Sequence, residues 1–140
     1  METINEDYVS YEIAELLKEK GFDEHCRTYY QDERFVDDVC TKYYQWNSKS
    51  PFGQISAPTH QMTMKWLREV HHIEISITFG FPFIDGKQQY KYFWSVVKVY
   101  NNHLEYPMDD PNNATYNEEI ADSYEQAVEA GIKYCLKNLI

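Results

Sequence analysis

The chain has 140 residues, 43% of them hydrophobic and 16% aromatic, and a formal net charge of −10. That length suits one domain with a real core, because folding at this size takes roughly two thirds of the chain's surface out of water. No apolar run approaches the ~20 residues that span a bilayer. The start Met1-Glu2-Thr3-Ile4-Asn5-Glu6-Asp7 lacks the basic end and apolar stretch of a secretory signal, so a cytoplasmic protein without a membrane partner is expected.

The three cysteines, Cys26, Cys40 and Cys135, are odd in number and widely spaced, which predicts reduced thiols rather than a disulfide framework. Asn113-Ala114-Thr115 matches a glycosylation sequon, but in a cytoplasmic chain it carries no function. Charge is uneven: residues 1–41 sum to −8, residues 42–103 to +4 and residues 104–140 to −6. The mildly basic middle either forms an anion-binding face or pairs with the acidic ends. The second reading is the simpler, because +4 over some sixty residues is modest.

In chain order, Ser10 to Gly21 reads as a short amphipathic helix. Ser10 is an N-cap, Glu12 suits the positive helix start, and Gly21 can take the left-handed conformation that stops it. Ile13, Leu16 and Leu17, flanked by Val9 and Phe22, form its apolar face. Residues 24–46 show no clean period, with a strand at Cys26–Tyr30, a turn at Asp32-Glu33-Arg34 and partial order after it; residues 47–53 read as a loop by composition. A second helix is expected from Ile55 to His71, capped by Ser56, with Pro58 in the first turn. Met62, Thr63, Trp66, Leu67 and Val70 share one of its faces, and Gln61, Lys65 and Arg68 the opposite one.

Ile73 to Phe79 alternates strictly between apolar and polar, the signature of a half-buried strand. Turn residues at 80–87, the strongest being Asp85-Gly86, lead to a second long strand from Tyr90 to Tyr100, with a short third strand at His103–Tyr106. An exposed, mobile acidic loop is expected from Met108 to about Ala121. A final helix begins at Ser123 with Gln126 completing a capping box, and its face is Tyr124, Val128, Gly131, Ile132, Cys135 and Leu139. Gly131 on that apolar side predicts close approach to another backbone.

No catalytic constellation is visible. His60 and His71 are eleven residues apart, ~16 Å along a helix, too far to share an ion. Adjacent His71 and His72 cannot both face one metal from one helix. His25 and Cys26 would point to opposite faces of a strand, and Cys135 sits on an apolar helix face as a small core residue. Phosphate-cradling glycine motifs are missing. An enzyme is therefore not favoured, and no metal or cofactor is expected. For nucleic acid or another anionic ligand, the candidates are Lys65, Arg68, Lys91 and Lys98, with Tyr90, Tyr92 and Trp94 as exposed stacking residues on one strand face. The overall charge opposes that reading, and the same aromatics read more simply as core beneath the helices.

Val9 to Asp23, Ile55 to Val70 and Ser123 to Ile140 together resemble a group of small uncharacterised proteins of phages and prophages of gut anaerobes. The resemblance covers the three helices and not the acidic loops. It implies a mobile-element origin, an intracellular life and an accessory or host-interaction role, and carries over no functional residue. The expected fold is α+β, a three- to four-stranded antiparallel sheet with about three helices mainly on one face. The expected function is a non-enzymatic protein-interaction module. The outer sheet face is left to a partner protein or a second copy, and anion or nucleic-acid binding through residues 42–103 is the alternative.

Overall fold

The computed structural model describes residues 3–37, 42–100, 103–105 and 120–140. Cys40, the sequon at Asn113, Tyr106 and the expected acidic loop up to residue 119 lie outside the described residues. The fold is α+β, with antiparallel strands throughout. Helices are α1 (Tyr11–Glu19), α2 (Trp46–Lys49), α3 (His60–His71) and α4 (Tyr124–Asn138). Strands are β1 (Tyr29–Gln31), β2 (Arg34–Val36), β3 (Ile55–Ser56), β4 (Ile73–Gly80), β5 (Phe83–Ile84), β6 (Lys87–Gln88), β7 (Lys91–Tyr100) and β8 (His103–Glu105). The chain divides within α3 into two compact units, residues 1–63 with Ile140, and residues 64–139.

In the first unit, α1 forms where its end signals place it. Ser10 Oγ accepts from the Ile13 N–H at 3.3 Å. At the other end Gly21, at φ +89°, lets the Phe22 N–H reach back to the Leu17 carbonyl (2.9 Å) and its own N–H to that of Lys18 (3.1 Å). That pair of bonds satisfies carbonyls the helix leaves open, and it buries Phe22 together with Leu17. Of the stretch 24–46, which lacks a period, the described residues on either side of 38–41 are held by side chains that bond to distant backbone. Tyr30 Oη donates to the Val9 carbonyl and Thr28 Oγ1 to the Ala57 carbonyl, both at 2.6 Å. Trp46 Nε1 donates to the Cys26 carbonyl and Asn47 Nδ2 to the Phe22 carbonyl, both at 2.7 Å. The expected strand at Cys26–Tyr30 is shorter, with Cys26 reduced to an isolated bridge to Tyr44.

Two expectations are corrected here. The helix expected from Ile55 starts at His60. Ile55 and Ser56 instead pair with β1, and Thr59 takes the capping role, its Oγ1 accepting from the Met62 N–H at 3.1 Å. Within the expected loop, Trp46–Lys49 forms one helical turn, anchored by Gln45 Nε2 on the Asp23 carbonyl at 3.1 Å.

The second unit is built on the three-stranded sheet β4-β7-β8, covered on one face by α4. β4 and β7 pair along their length, Ile73 opposite Lys98 through Gly80 opposite Lys91. The row Ile73, Ile75, Ile77, Phe79 thus lies beside Lys98, Val96, Trp94, Tyr92 on the helix-facing side. α4 opens with Ser123 Oγ accepting from the Gln126 N–H at 3.1 Å, while Gln126 Oε1 accepts from the Asp122 N–H, the expected capping arrangement displaced by one residue on its return bond. It buries Ala127, Val128, Gly131, Ile132, Cys135 and Leu136. Tyr124, expected on that face, is exposed, as is Val70 of α3. The remaining strands form two further sheets, β2-β1-β3 in the first unit and the minimal hairpin β5-β6 in the second. Asp85 (φ +52°) and Gly86 (φ +75°) make the tight turn of that hairpin. No helix among the described residues is long and apolar enough to cross a membrane.

Candidate functional site

Among the described residues, several exposed aromatic rings gather at the far end of the β4–β7 pair. Along the helix-facing row, cover is complete at Ile73 and Trp94 and ends before Phe79, which is 65% exposed. The chain beyond it exposes Phe81 (56%) and Phe83 (76%), and the return strand is preceded by Tyr90 (46%). These rings touch. Tyr90 lies 5.6 Å from Phe79, 5.1 Å from Phe81 and 5.3 Å from Tyr92, the last edge-to-face, and Tyr92 meets Tyr124 of α4 at 6.2 Å. Centroids at such spacings are favourable aromatic contacts. The result is a continuous exposed aromatic strip across one end of the sheet.

The strip carries few polar handles. Tyr92 Oη donates to Tyr90 Oη at 3.4 Å, and that bond, with desolvation and the nearby Glu125, raises the Tyr92 pKa above its ordinary value. Beside it, Lys91 pairs with Asp122. Backbone bonds between Tyr92 and Ala121, both 3.0 Å, clamp the segment before α4 onto β7.

The residues expected to bind anions are placed otherwise. Lys65 lies 4.0 Å from Glu69, Arg68 lies 3.6 Å from Glu74, and Lys91 is held by Asp122. Lys98 Nζ donates to the Leu139 carbonyl at 3.3 Å. Each of the four cations therefore faces an acid or a carbonyl of its own unit. Of the three expected stacking residues, Tyr90 is exposed and Tyr92 half-buried. Trp94, however, is 4% exposed and packs against Gly131 and Tyr134, so its expected exposure is corrected: it is core beneath α4. Phe79 and Tyr124 are expected inward from their patterns, and Phe81 and Phe83 carry no site signal in the sequence. The alternation of β4 assigns Phe79 inward, and nothing local shows that α4 stops covering that row before reaching it.

The two described thiols, Cys26 and Cys135, are buried. Burial pushes Cys26 and Cys135 up to about 12, with the Glu24 carboxylate adding to the rise at Cys26. Cys26 faces the thioether of Met62 at 3.9 Å in a cavity of about 300 Å³ within the first unit. Among the described residues, no three His, Cys, Asp or Glu side chains are grouped so as to hold a metal ion. A second cavity, about 480 Å³, opens beside the outer side of α4 near Ala130 and Tyr134. Compared with protein-family models, curated proteins and solved structures, the chain matches none of them.

Proposed function

We propose that the protein is a protein-interaction module and that the aromatic strip Phe79–Phe81–Tyr90–Tyr92 is its contact surface. The single observation that supports this is the clustering of exposed rings in mutual contact, where scattered single exposures would need no explanation. Aromatic side chains deliver much buried area for little conformational entropy, and they dominate the energetic centres of protein interfaces. The alternative, binding of nucleic acid, draws support from the same rings as stacking platforms. It is weakened by the net charge of −10 and by the carboxylates standing against Lys65, Arg68 and Lys91. A cytoplasmic accessory role of the phage or prophage type rests on the resemblance of the three helical segments alone.

The test is capture from native-cell lysate by immobilised protein, with and without nuclease, using wild type, Phe81→Ser/Phe83→Ser and Lys65→Glu/Arg68→Glu. The interaction-module reading expects a defined set of proteins that survives nuclease and the charge reversals and is lost with the two phenylalanines. Capture that disappears with nuclease and with the charge reversals, yet survives the phenylalanine changes, would establish the nucleic-acid alternative instead.

A further inference from the structure

We infer that β4 is a self-pairing edge, through which two copies of this chain join into one continuous six-stranded sheet. β4 is an outer strand of its sheet, and among the described residues nothing pairs with its free side. Hydrogen-bond parity shows which residues face that side. The Val99 N–H donates to the His72 carbonyl, and Tyr92, an even-numbered residue of β7, exchanges bonds with Ala121 on the opposite edge. Odd-numbered residues of β7 therefore bond to even-numbered residues of β4, since bonded pairs alternate along an antiparallel ladder. The backbone N–H and C=O groups of Ile75, Ile77 and Phe79 point outward.

Natural edge strands are guarded by proline, lysine, bulges or inward-facing charge. From Ile73 to Gly80 the only charged residue is Glu74, and there is no proline or lysine. Ile73 is fully buried, so the usable edge begins at Ile75. An antiparallel pair centred on Ile77 matches this edge to itself. Ile77 meets its twin, and each Ile75 meets the other copy's Phe79, so the three residues exchange their outward bonds in register. On the opposite face Ser76 meets Thr78, and Glu74 meets Gly80, so no like charges are opposed. Because the two-fold axis is perpendicular to the sheet, both copies carry α4 on the same side. The pairing also covers Phe79. It shares Phe79 with the contact strip but leaves Phe81 and Phe83 outside the paired stretch, so loss of capture with those two phenylalanines is read independently of dimerisation.

Sedimentation equilibrium of the full chain across the micromolar range tests this. A species of twice the 16.8 kDa chain mass is expected to build up with concentration. Ser76→Lys/Thr78→Lys sets lysines opposite each other at both cross-strand pairs and is expected to weaken the dimer about tenfold. Ser76→Lys/Thr78→Glu sets opposite charges at the same pairs and is expected to dimerise at least about tenfold more tightly than the double lysine variant. Both positions are exposed in one copy, and thermal melts confirm that each variant folds. A chain that stays monomeric at every concentration overturns the inference, leaving the edge to a strand of another protein. Equal dimerisation by the two variants overturns it as well.

Discussion

Gly131 of α4 sits directly over Ile75 of β4: a Cβ on the glycine would stand 3.1 Å from Ile75 Cγ2 and 3.6 Å from Trp94 Cβ. Glycine in a helix interior sacrifices about 1 kcal/mol against alanine. Here the loss permits the helix backbone to lie close on the sheet and bury Trp94 beneath it.

Gly131→Val is accordingly expected to lower stability by about 1–3 kcal/mol, through overpacking against Ile75 and Trp94. Chemical denaturation followed by tryptophan fluorescence measures it. Stability unchanged within error would mean that the contact is not close in solution.

The corner between α3 and β4 predicts acid sensitivity. His71 packs edge-on against Trp66 at 4.6 Å, and its Nε2 is buried without a hydrogen-bond partner among the described residues. Desolvation, followed by the charges of Lys98 and His72, lowers its pKa below 6.5. A base held neutral in the folded state while the unfolded chain takes up a proton contributes stability that is present above about pH 6.5 and fades as pH falls through the unfolded value. His71→Gln is expected to flatten the fall in melting temperature between neutral and mildly acid pH. An unaltered slope would remove His71 as its source.

The buried thiols predict the opposite limb. With folded-state pKa values near 12 against 9.0 for the free group, Cys26 and Cys135 keep protons that the unfolded chain releases. Their contribution to stability is complete below pH 9 and lost progressively between pH 9 and 12. Cys26→Ala/Cys135→Ala is expected to be less stable near neutrality through lost packing, yet to show a shallower alkaline decline. At pH 8 both thiols are expected to react with a disulfide reagent only as fast as the protein opens, and rapid labelling of either in the native state contradicts their burial.

Much of this molecule is written in short stretches of chain. Both ends of α1 and the start of α4 were legible because Ser10, Gly21 and Ser123 act on groups within a few residues of themselves. The α+β class followed from a period near 3.6 in α1 and α4 and a period of 2 in β4. The start of α3 was not legible. Ser56 and Thr59 both suit a cap, and the pairing of Ile55 and Ser56 with β1, some 25 residues earlier, decides between them.

Exposure and charge pairing belong to the tertiary structure. Phe79 and Trp94 lie on the same sheet face by parity, yet one is open and the other closed, because α4 covers one part of that face only. Lys91 reads as a candidate for phosphate until Asp122, 31 residues away in sequence, is placed against it. A residue's alternation or capping role depends on its neighbours along the chain, whereas what covers or neutralises it depends on segments that folding alone brings near.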